Sequence, residues 1–142
     1  MSFLVKIDVQ KNIPQLDAQT HIALEAGVNE IADHAFVTLL SNTPLKSGLL
    51  RSSYQKLVSG LSARISSVAS YVMAVESGSR PHVIATKNAR ALHFIINGRD
   101  VFAKRVQHPG SRGRFFIART AETVKRDSPS ILARHLQRVG KK

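Results

Sequence analysis

The chain has 142 residues, of which 43% are hydrophobic, so it is long enough for one globular domain with its own core. It contains no cysteine, which excludes disulfide bonds, thiolate metal sites and cysteine nucleophiles. The formal net charge is +12 and is unevenly placed: two basic and five acidic residues precede Pro44, and nineteen basic and four acidic residues occur from Pro44 onward. Such a field favours a polyanion or an acidic protein as a partner.

The amino terminus does not resemble a targeting segment, because Lys6 and Asp8 interrupt its apolar stretch. The longest uncharged runs, such as residues 65–75, are too short to cross a bilayer. We therefore expect a soluble intracellular protein without a membrane partner.

The first third of the chain predicts a strand followed by a long helix. Residues 3–7 place apolar side chains at alternating positions, which indicates a short strand with one buried face. Asn12-Ile13-Pro14 predicts the start of a helix, because proline is favoured in the first turn. The helix extends to about Ser41, and Asn42-Thr43-Pro44 ends it. Its apolar stripe comprises Leu24, Val28, Ile31, Ala35 and Leu39.

The middle of the chain predicts two β-hairpins separated by a short helix. Residues 50–58 and 61–66 alternate on either side of a turn at Ser59-Gly60. The next segment, 69–77, is short and apolar. Gly78 after it suits the end of a helix and is expected to adopt a positive φ. The second hairpin turns at Asn97-Gly98, the favoured pair for a type I′ turn because both central residues need positive φ. Its strands are residues 91–96 and 100–104.

The end of the chain predicts two helices. The first runs from Phe115 to about Arg126, and Asp127-Ser128-Pro129 predicts the cap of a second that ends near Val139. Residues 139–142 are expected to fray.

The strands cluster between the helices, which indicates an α+β fold in a single domain, residues 1–142. In this fold the long N-terminal helix packs on an antiparallel sheet built from the two hairpins, and the C-terminal helices follow.

Motifs for catalysis are missing from the sequence. The six histidines lack metal-binding spacing. A hydrolytic metal site could be assembled only from scattered residues: Glu76, His82, His93, Asp100 and His108. The alternative is that the histidines pack or cap turns, and that Glu76 pairs with Arg51 or Arg80. Residues 110–113 could hold a phosphate ahead of a helix, or form a simple loop. We expect no enzyme, no catalytic residue, no metal and no cofactor.

Three phrases occur in a fixed order. Residues 43–53 read Thr-Pro-Leu-Lys-Ser-Gly-Leu-Leu-Arg-Ser-Ser, residues 71–79 read Tyr-Val-Met-Ala-Val-Glu-Ser-Gly-Ser, and residues 108–117 run from His-Pro-Gly-Ser to Phe-Ile. Over about residues 14–122 the ordered set resembles the tail-component family, the tail-completion or neck proteins of long-tailed double-stranded DNA phages. The positions that carry the motif are Thr43, Pro44, Gly48, Tyr71, Glu76, Gly78, His108, Pro109, Gly110 and Phe116. Lys46 stands where the family often has an acid, and Arg114-Phe115 where Pro-Phe is common.

The resemblance implies a structural virion protein of the head–tail junction that forms a ring, with six copies expected, and joins the neck to the tail tube. Its partners would be copies of itself and the neck, head-closure and tail-tube proteins. It would occur in the host cytoplasm during assembly and then in the virion. A ring needs a head-to-tail interface, and the second hairpin is a natural arm for it. The predicted arm residues are Asn97, Gly98, Arg99, Phe102, Lys104 and Arg105.

A basic nucleic-acid-binding module is the alternative, and contact of the ring with genomic DNA also stays open. No recognition motif accompanies the charge. A ring that persists in salt without DNA favours the first hypothesis. A monomer whose DNA affinity falls steeply with salt favours the second.

Overall fold

The structure of the protein is a computed structural model, which describes residues 2–9 and 16–139 and, within them, the side chains from Val5 onward. The elements of this part of the chain are β1 (Ser2–Asp8), α1 (Ala18–Asn42), α2 (Leu49–Ser52), β2 (Tyr54–Ser59), β3 (Ser62–Ser67), α3 (Val72–Ser77), β4 (Gly78–Ser79), β5 (His82–Ala85), β6 (Leu92–Ile96), β7 (Arg99–Ala103), β8 (Arg105–His108), β9 (Ser111–Arg112) and α4 (Phe116–Val139). None of these helices has the length and apolar character needed to cross a membrane.

The main sheet is antiparallel, with the strand order β1-β3-β2. The first hairpin, β2 and β3, turns at Gly60, where φ is +54°. The strand β1 joins the other edge of β3 and places Val5 opposite Ile65. Val5, Tyr54 and Ile65 are buried, because α1 and α4 contribute apolar side chains to the same cluster.

The two long helices pack along each other. At the start of α1, the carboxylate of Asp17 accepts hydrogen bonds from the hydroxyl and the backbone N–H of Thr20, at 2.6 and 3.0 Å, and these bonds lower the pKa of Asp17. Further along, Gly27 is buried, and a Cβ there would lie 2.7 Å from the Cδ2 of Leu132 in α4. The glycine is a weak helix former, and its lack of a side chain permits this close approach.

One main cluster of buried residues forms the core between the sheet and the helices. Ile31, Leu39, Ile65, Val72 and Phe116 are each at most 2% exposed, and they come from four elements, α1, β3, α3 and α4. The α+β class is therefore confirmed, with a long N-terminal helix packed on an antiparallel sheet.

The strand predicted over residues 50–58 begins later, at Tyr54, because α2 forms a single helical turn before it. Gly48 adopts a φ of +78° at the start of this turn, and the hydroxyl of Ser53 donates to the carbonyl of Leu50 at its end, at 2.7 Å. Small polar residues bonded to the local backbone override the alternating pattern.

The two predicted C-terminal helices are one helix, so the predicted cap at Asp127-Ser128-Pro129 is wrong. The hydroxyl of Ser128 donates to the carbonyl of Val124, at 2.5 Å. Val124 and Ile131 are buried on either side of the proline. Packing against the core therefore offsets the backbone hydrogen bond that the proline removes.

Two predictions fall wholly or partly outside the described residues. The predicted helix start at Asn12-Ile13-Pro14 is not described, and α1 begins at Ala18. Of the residues expected to fray, Val139 is the last residue of α4, and residues 140–142 are not described.

The second hairpin stands apart from the main sheet. The strand β4 pairs with β9, β5 with β8, and β6 with β7. These three successive two-stranded antiparallel pairs, within residues 78–112, are together called the ribbon below. Between the last two pairs, residues 86–91 face only Lys104 of the other strand. No residue of the ribbon is buried. The sheet under α1 is thus built from one hairpin and β1, and the second hairpin extends away from the core.

Candidate assembly site

The three phrases of the sequence meet at one place, called the junction below and comprising residues 43–53, 71–78 and 108–118. Backbone hydrogen bonds join the second phrase to the third: the N–H of Arg114 donates to the carbonyl of Val75, and the N–H of Phe115 to that of Glu76, both at 3.0 Å. Phe115 has a φ of +50°, a left-handed conformation that sharply redirects the chain into α4.

Thr43 ties the first phrase to the core. Its hydroxyl donates to the carbonyl of Leu39 at 2.6 Å and accepts from the hydroxyl of Tyr54 at 2.7 Å. The guanidinium of Arg51 donates two hydrogen bonds to the carbonyl of Thr43, at 2.8 and 3.2 Å. Burial raises the pKa of Tyr54, since the buried phenol is costly to ionise. The end of α1 is therefore fixed by two side chains that come after it in the sequence.

Glu76 caps the last helix, which corrects the prediction of an Arg51 or Arg80 partner. Its carboxylate is buried and accepts the backbone N–H groups of Ile117 at 2.9 Å and Ala118 at 3.0 Å. These N–H groups have no partner within a helix, and the helix dipole favours a negative charge beside them. Glu76 thus provides the acceptors for the first N–H groups of α4 and is not paired with an arginine.

Of the two alternatives for residues 110–113, a phosphate site or a simple loop, the arrangement does not favour the phosphate site. The carboxylate of Glu76 already occupies the first N–H groups of α4. The loop itself pairs with the second phrase, with Arg112 opposite Gly78 and Ser111 opposite Ser79.

Two glycines allow the strands at the base of the ribbon to approach closely. Gly78 has a φ of +80°, and a Cβ there would collide with the carbonyl oxygen of Ser111 and lie 2.7 Å from the amide nitrogen of Gly113. Gly110 has a φ of +87°, and a Cβ there would collide with the carbonyl oxygen of Ser79. The predicted positive φ at Gly78 is confirmed. The close backbone approach explains why the phrase has glycine there.

The acids and histidines that could have formed a metal site are distributed along the ribbon instead. His93 donates to the carboxylate of Asp100 at 2.6 Å and stacks on the ring of Phe102 at 4.8 Å. His82 and His108 lie opposite each other, with their rings 5.0 Å apart. Among the described residues no group of three or more His, Asp or Glu could hold a metal ion.

The ribbon ends in the predicted Asn97-Gly98 turn, which is confirmed by φ values of +50° and +77°. All six predicted arm residues, 97–99, 102, 104 and 105, are exposed. Three strands, β7, β8 and β9, lead from this turn back to the junction at the base of the ribbon.

The ribbon carries seven Lys or Arg residues and one acid, Asp100. No ion pair joins any of these seven to an acid that the structure describes, since Asp100 bonds to His93 and Glu76 to α4. The acids of α1 are paired elsewhere: Glu30 with Arg134 and His135, and Asp33 with Lys56. The basic charge of the ribbon is therefore uncompensated within the part of the chain described.

A groove of about 470 Å³ opens at the junction, beside the base of the ribbon. Its wall includes apolar residues of two phrases and two cations: Pro44, Leu49, Tyr71, Val75, Lys46 and Arg114. Leu49 is 66% exposed and Tyr71 is 45% exposed. The two departures from the family pattern, at Lys46 and Arg114, thus face one groove.

The sequence predicted where the chain turns at the junction, but it missed the partners of Thr43 and Glu76. Tyr54 and Arg51 had no spacing that indicated a contact with Thr43. The contact of Glu76 could have been found, because a helix that begins without an acidic or polar cap needs an acceptor from elsewhere. Phe116, the last motif residue in the sequence, is fully buried as the first residue of α4.

Comparison with protein-family models, with curated proteins and with solved structures finds no match for this chain. The relation to tail-component proteins therefore stays a hypothesis that rests on the ordered phrases.

Proposed function

We propose that this chain is a structural subunit of a phage head–tail junction, which forms a ring and joins the neck to the tail tube. The observation that carries the proposal is the ribbon: 35 residues with no buried side chain, anchored by the junction that the three phrases build. The motif residues on which the resemblance rests include those that hold the junction together. Building a rigid base for an unburied arm suits a protein that works by contact with neighbours.

The apolar side chains at the tip support an assembly role. Ile95 and Phe102 are each 68% exposed and Ile96 is 52% exposed. A two-stranded hairpin is at best marginally stable alone in water, so such a tip gains stability when a partner covers it. The expected partners are further copies of the chain, arranged in a ring for which we propose six copies, and the neck and tail-tube proteins.

Native mass spectrometry and electron microscopy of the purified full chain test the proposal. We expect one closed ring with a defined number of copies that persists without DNA. A chain that stays monomeric at every concentration, or open filaments of undefined length, would contradict it.

A basic nucleic-acid-binding module is the second candidate, and the seven uncompensated cations of the ribbon favour it. A two-stranded ribbon also fits the major groove of B-DNA. If all seven contact phosphates, the logarithm of DNA affinity should fall with the logarithm of salt concentration with a slope of about −6. A monomer with this slope supports the second candidate, whereas a ring with a shallow slope supports the first.

A further inference from the structure

The tip of the ribbon presents an apolar surface that contains a single acid. In the register of β6 and β7, Ile95 lies opposite Asp100 and His93 opposite Phe102, so these four side chains share one face. Ile95 and Phe102 are 68% exposed, and the side chain of Asp100 is 66% exposed. Asp100 is the one acid between Glu76 and Glu122 in the sequence. Asp100 accepts a hydrogen bond from His93 through one carboxylate oxygen. A partner that suits this face therefore offers apolar walls and a cation for the other oxygen.

The groove at the junction offers that combination. Leu49, Tyr71 and Val75 line it with apolar surface, and Lys46 and Arg114 bring two cations to its wall. Neither cation forms an ion pair with an acid in the described part of the chain, and the nearby carboxylate of Glu76 is buried against α4. The groove therefore has the chemistry that complements the tip.

The tip does not fill the groove of its own chain. No residue of the tip lines the groove, and Ile95 and Phe102 stay 68% exposed. Tip and groove are thus two separate, open surfaces of one molecule. Repeating a contact between two different surfaces produces a head-to-tail chain of copies, which closes if the rotation between copies allows it.

We propose that the ribbon tip, residues 95–102, of one copy docks in the junction groove of the next copy, with Asp100 against Lys46 and Arg114. This interface rests on the proposed function, because it is the contact by which the ring would form. It gives Lys46 and Arg114, the two basic residues that depart from the tail-component pattern, a role in binding Asp100.

Cysteine trapping tests the contact directly, because the natural chain has no cysteine. Ile95→Cys places a thiol at the tip, and Leu49→Cys places one in the groove. Both positions are exposed, and cysteine keeps an apolar character there. We expect the two single variants, once mixed and mildly oxidised, to give a covalent dimer, and the double variant to give a ladder of covalent oligomers.

Leu57→Cys is the matched control, because Leu57 is also 66% exposed and lies outside the groove, on β2. Ile95→Cys should cross-link to Leu49→Cys at least tenfold faster than to Leu57→Cys. Equal rates, or rings of the natural chain with no Leu49 cross-link, would overturn the docking proposal alone. A natural chain that forms no ring, together with cysteine variants that form no cross-link, would overturn the proposed function as well.

A charge exchange provides an independent readout. Asp100→Lys should abolish ring formation, and combining it with Lys46→Glu and Arg114→Glu should restore it. Loss of the ring without rescue, in a protein whose thermal unfolding is unchanged, would contradict an Asp100 contact with these two cations.

Discussion

At the scale of single residues, a few buried polar groups fix the junction. Thr43, Tyr54 and Glu76 are all at most 7% exposed, and each has its hydrogen bonds satisfied by a segment distant in sequence or by a helix end. Among the described residues that are not exposed, no buried side-chain nitrogen or oxygen lacks a partner. Such satisfied groups are costly to disturb, because removing one partner leaves the other unpaired away from water.

Replacing the cap of α4 should destabilise the protein. Glu76→Gln keeps one oxygen acceptor but turns an N–H donor toward the amides of Ile117 and Ala118. It also removes the negative charge that the dipole of α4 favours at this end. We expect a loss of about 1–3 kcal/mol in the free energy of unfolding, measured with denaturant. Glu122→Gln, on the exposed side of the same helix, is the control and should change stability by less than about 0.5 kcal/mol. Equal effects of the two would show that the cap is not needed.

The phenol of Tyr54 should make stability depend on alkaline pH. Its folded pKa is raised above the ordinary value of 10.0 by burial, so its contribution is fully present below about pH 10 and is lost as pH rises through the folded pKa. Tyr54→Phe should cost about 0.5–1.5 kcal/mol at pH 8 and flatten the alkaline loss. Unfolding midpoints between about pH 8 and 11 test this. Tyr71→Phe, at an exposed tyrosine, should leave the profile unchanged; the same flattening in both would contradict the assignment.

At the scale of elements, the ribbon is held at its base by close backbone contacts and is free of the core beyond them. Gly78 and Gly110 let β4 and β9 approach each other, and the pair passes directly into α3 on one side and toward α4 on the other. The orientation of the ribbon therefore depends on the same backbone that carries the cap of α4.

Two glycines with nearly equal φ separate the effects of strain and collision. Gly78 and Gly98 have φ values of +80° and +77°, but only at Gly78 would a Cβ meet other atoms within 4 Å. Both Gly78→Ala and Gly98→Ala should cost about 1–3 kcal/mol through backbone strain. Gly78→Ala should cost clearly more, because the opposite strand must also move. Thermal unfolding of the two variants measures the difference, and equal midpoints would argue against the close packing of β4 and β9.

Local patterns predicted most of the elements, because strands, turns and the helical stripe depend on neighbouring residues. The Asn97-Gly98 turn and the positive φ of Gly78 are examples. The patterns failed where distant packing decides: α4 passes through Pro129 because both of its halves bury apolar side chains. They also failed at Glu76, whose partners are 41 and 42 residues away. The predicted sheet contained both hairpins because their patterns are similar, although the second hairpin was also expected to serve as an arm. In the structure the main sheet has only the first hairpin and β1.

At the scale of the whole molecule, two regions differ in their charge and in their exposure to solvent. The compact α+β body pairs several of its acids, whereas the ribbon extends from it with seven cations, an apolar tip and one exposed acid. A molecule of net charge +12 repels its copies at long range. The proposed assembly would therefore depend on short-range contacts, for which the apolar tip and the groove are suited.

The native mass of a variant without the ribbon tip tests the central claim, that the ribbon mediates assembly. Residues 95–101 are deleted and bridged with glycine, a change that removes no buried side chain. We expect the natural chain to form a ring and the variant to be a folded monomer that unfolds in one cooperative transition. A variant that forms the same ring as the natural chain would contradict the account.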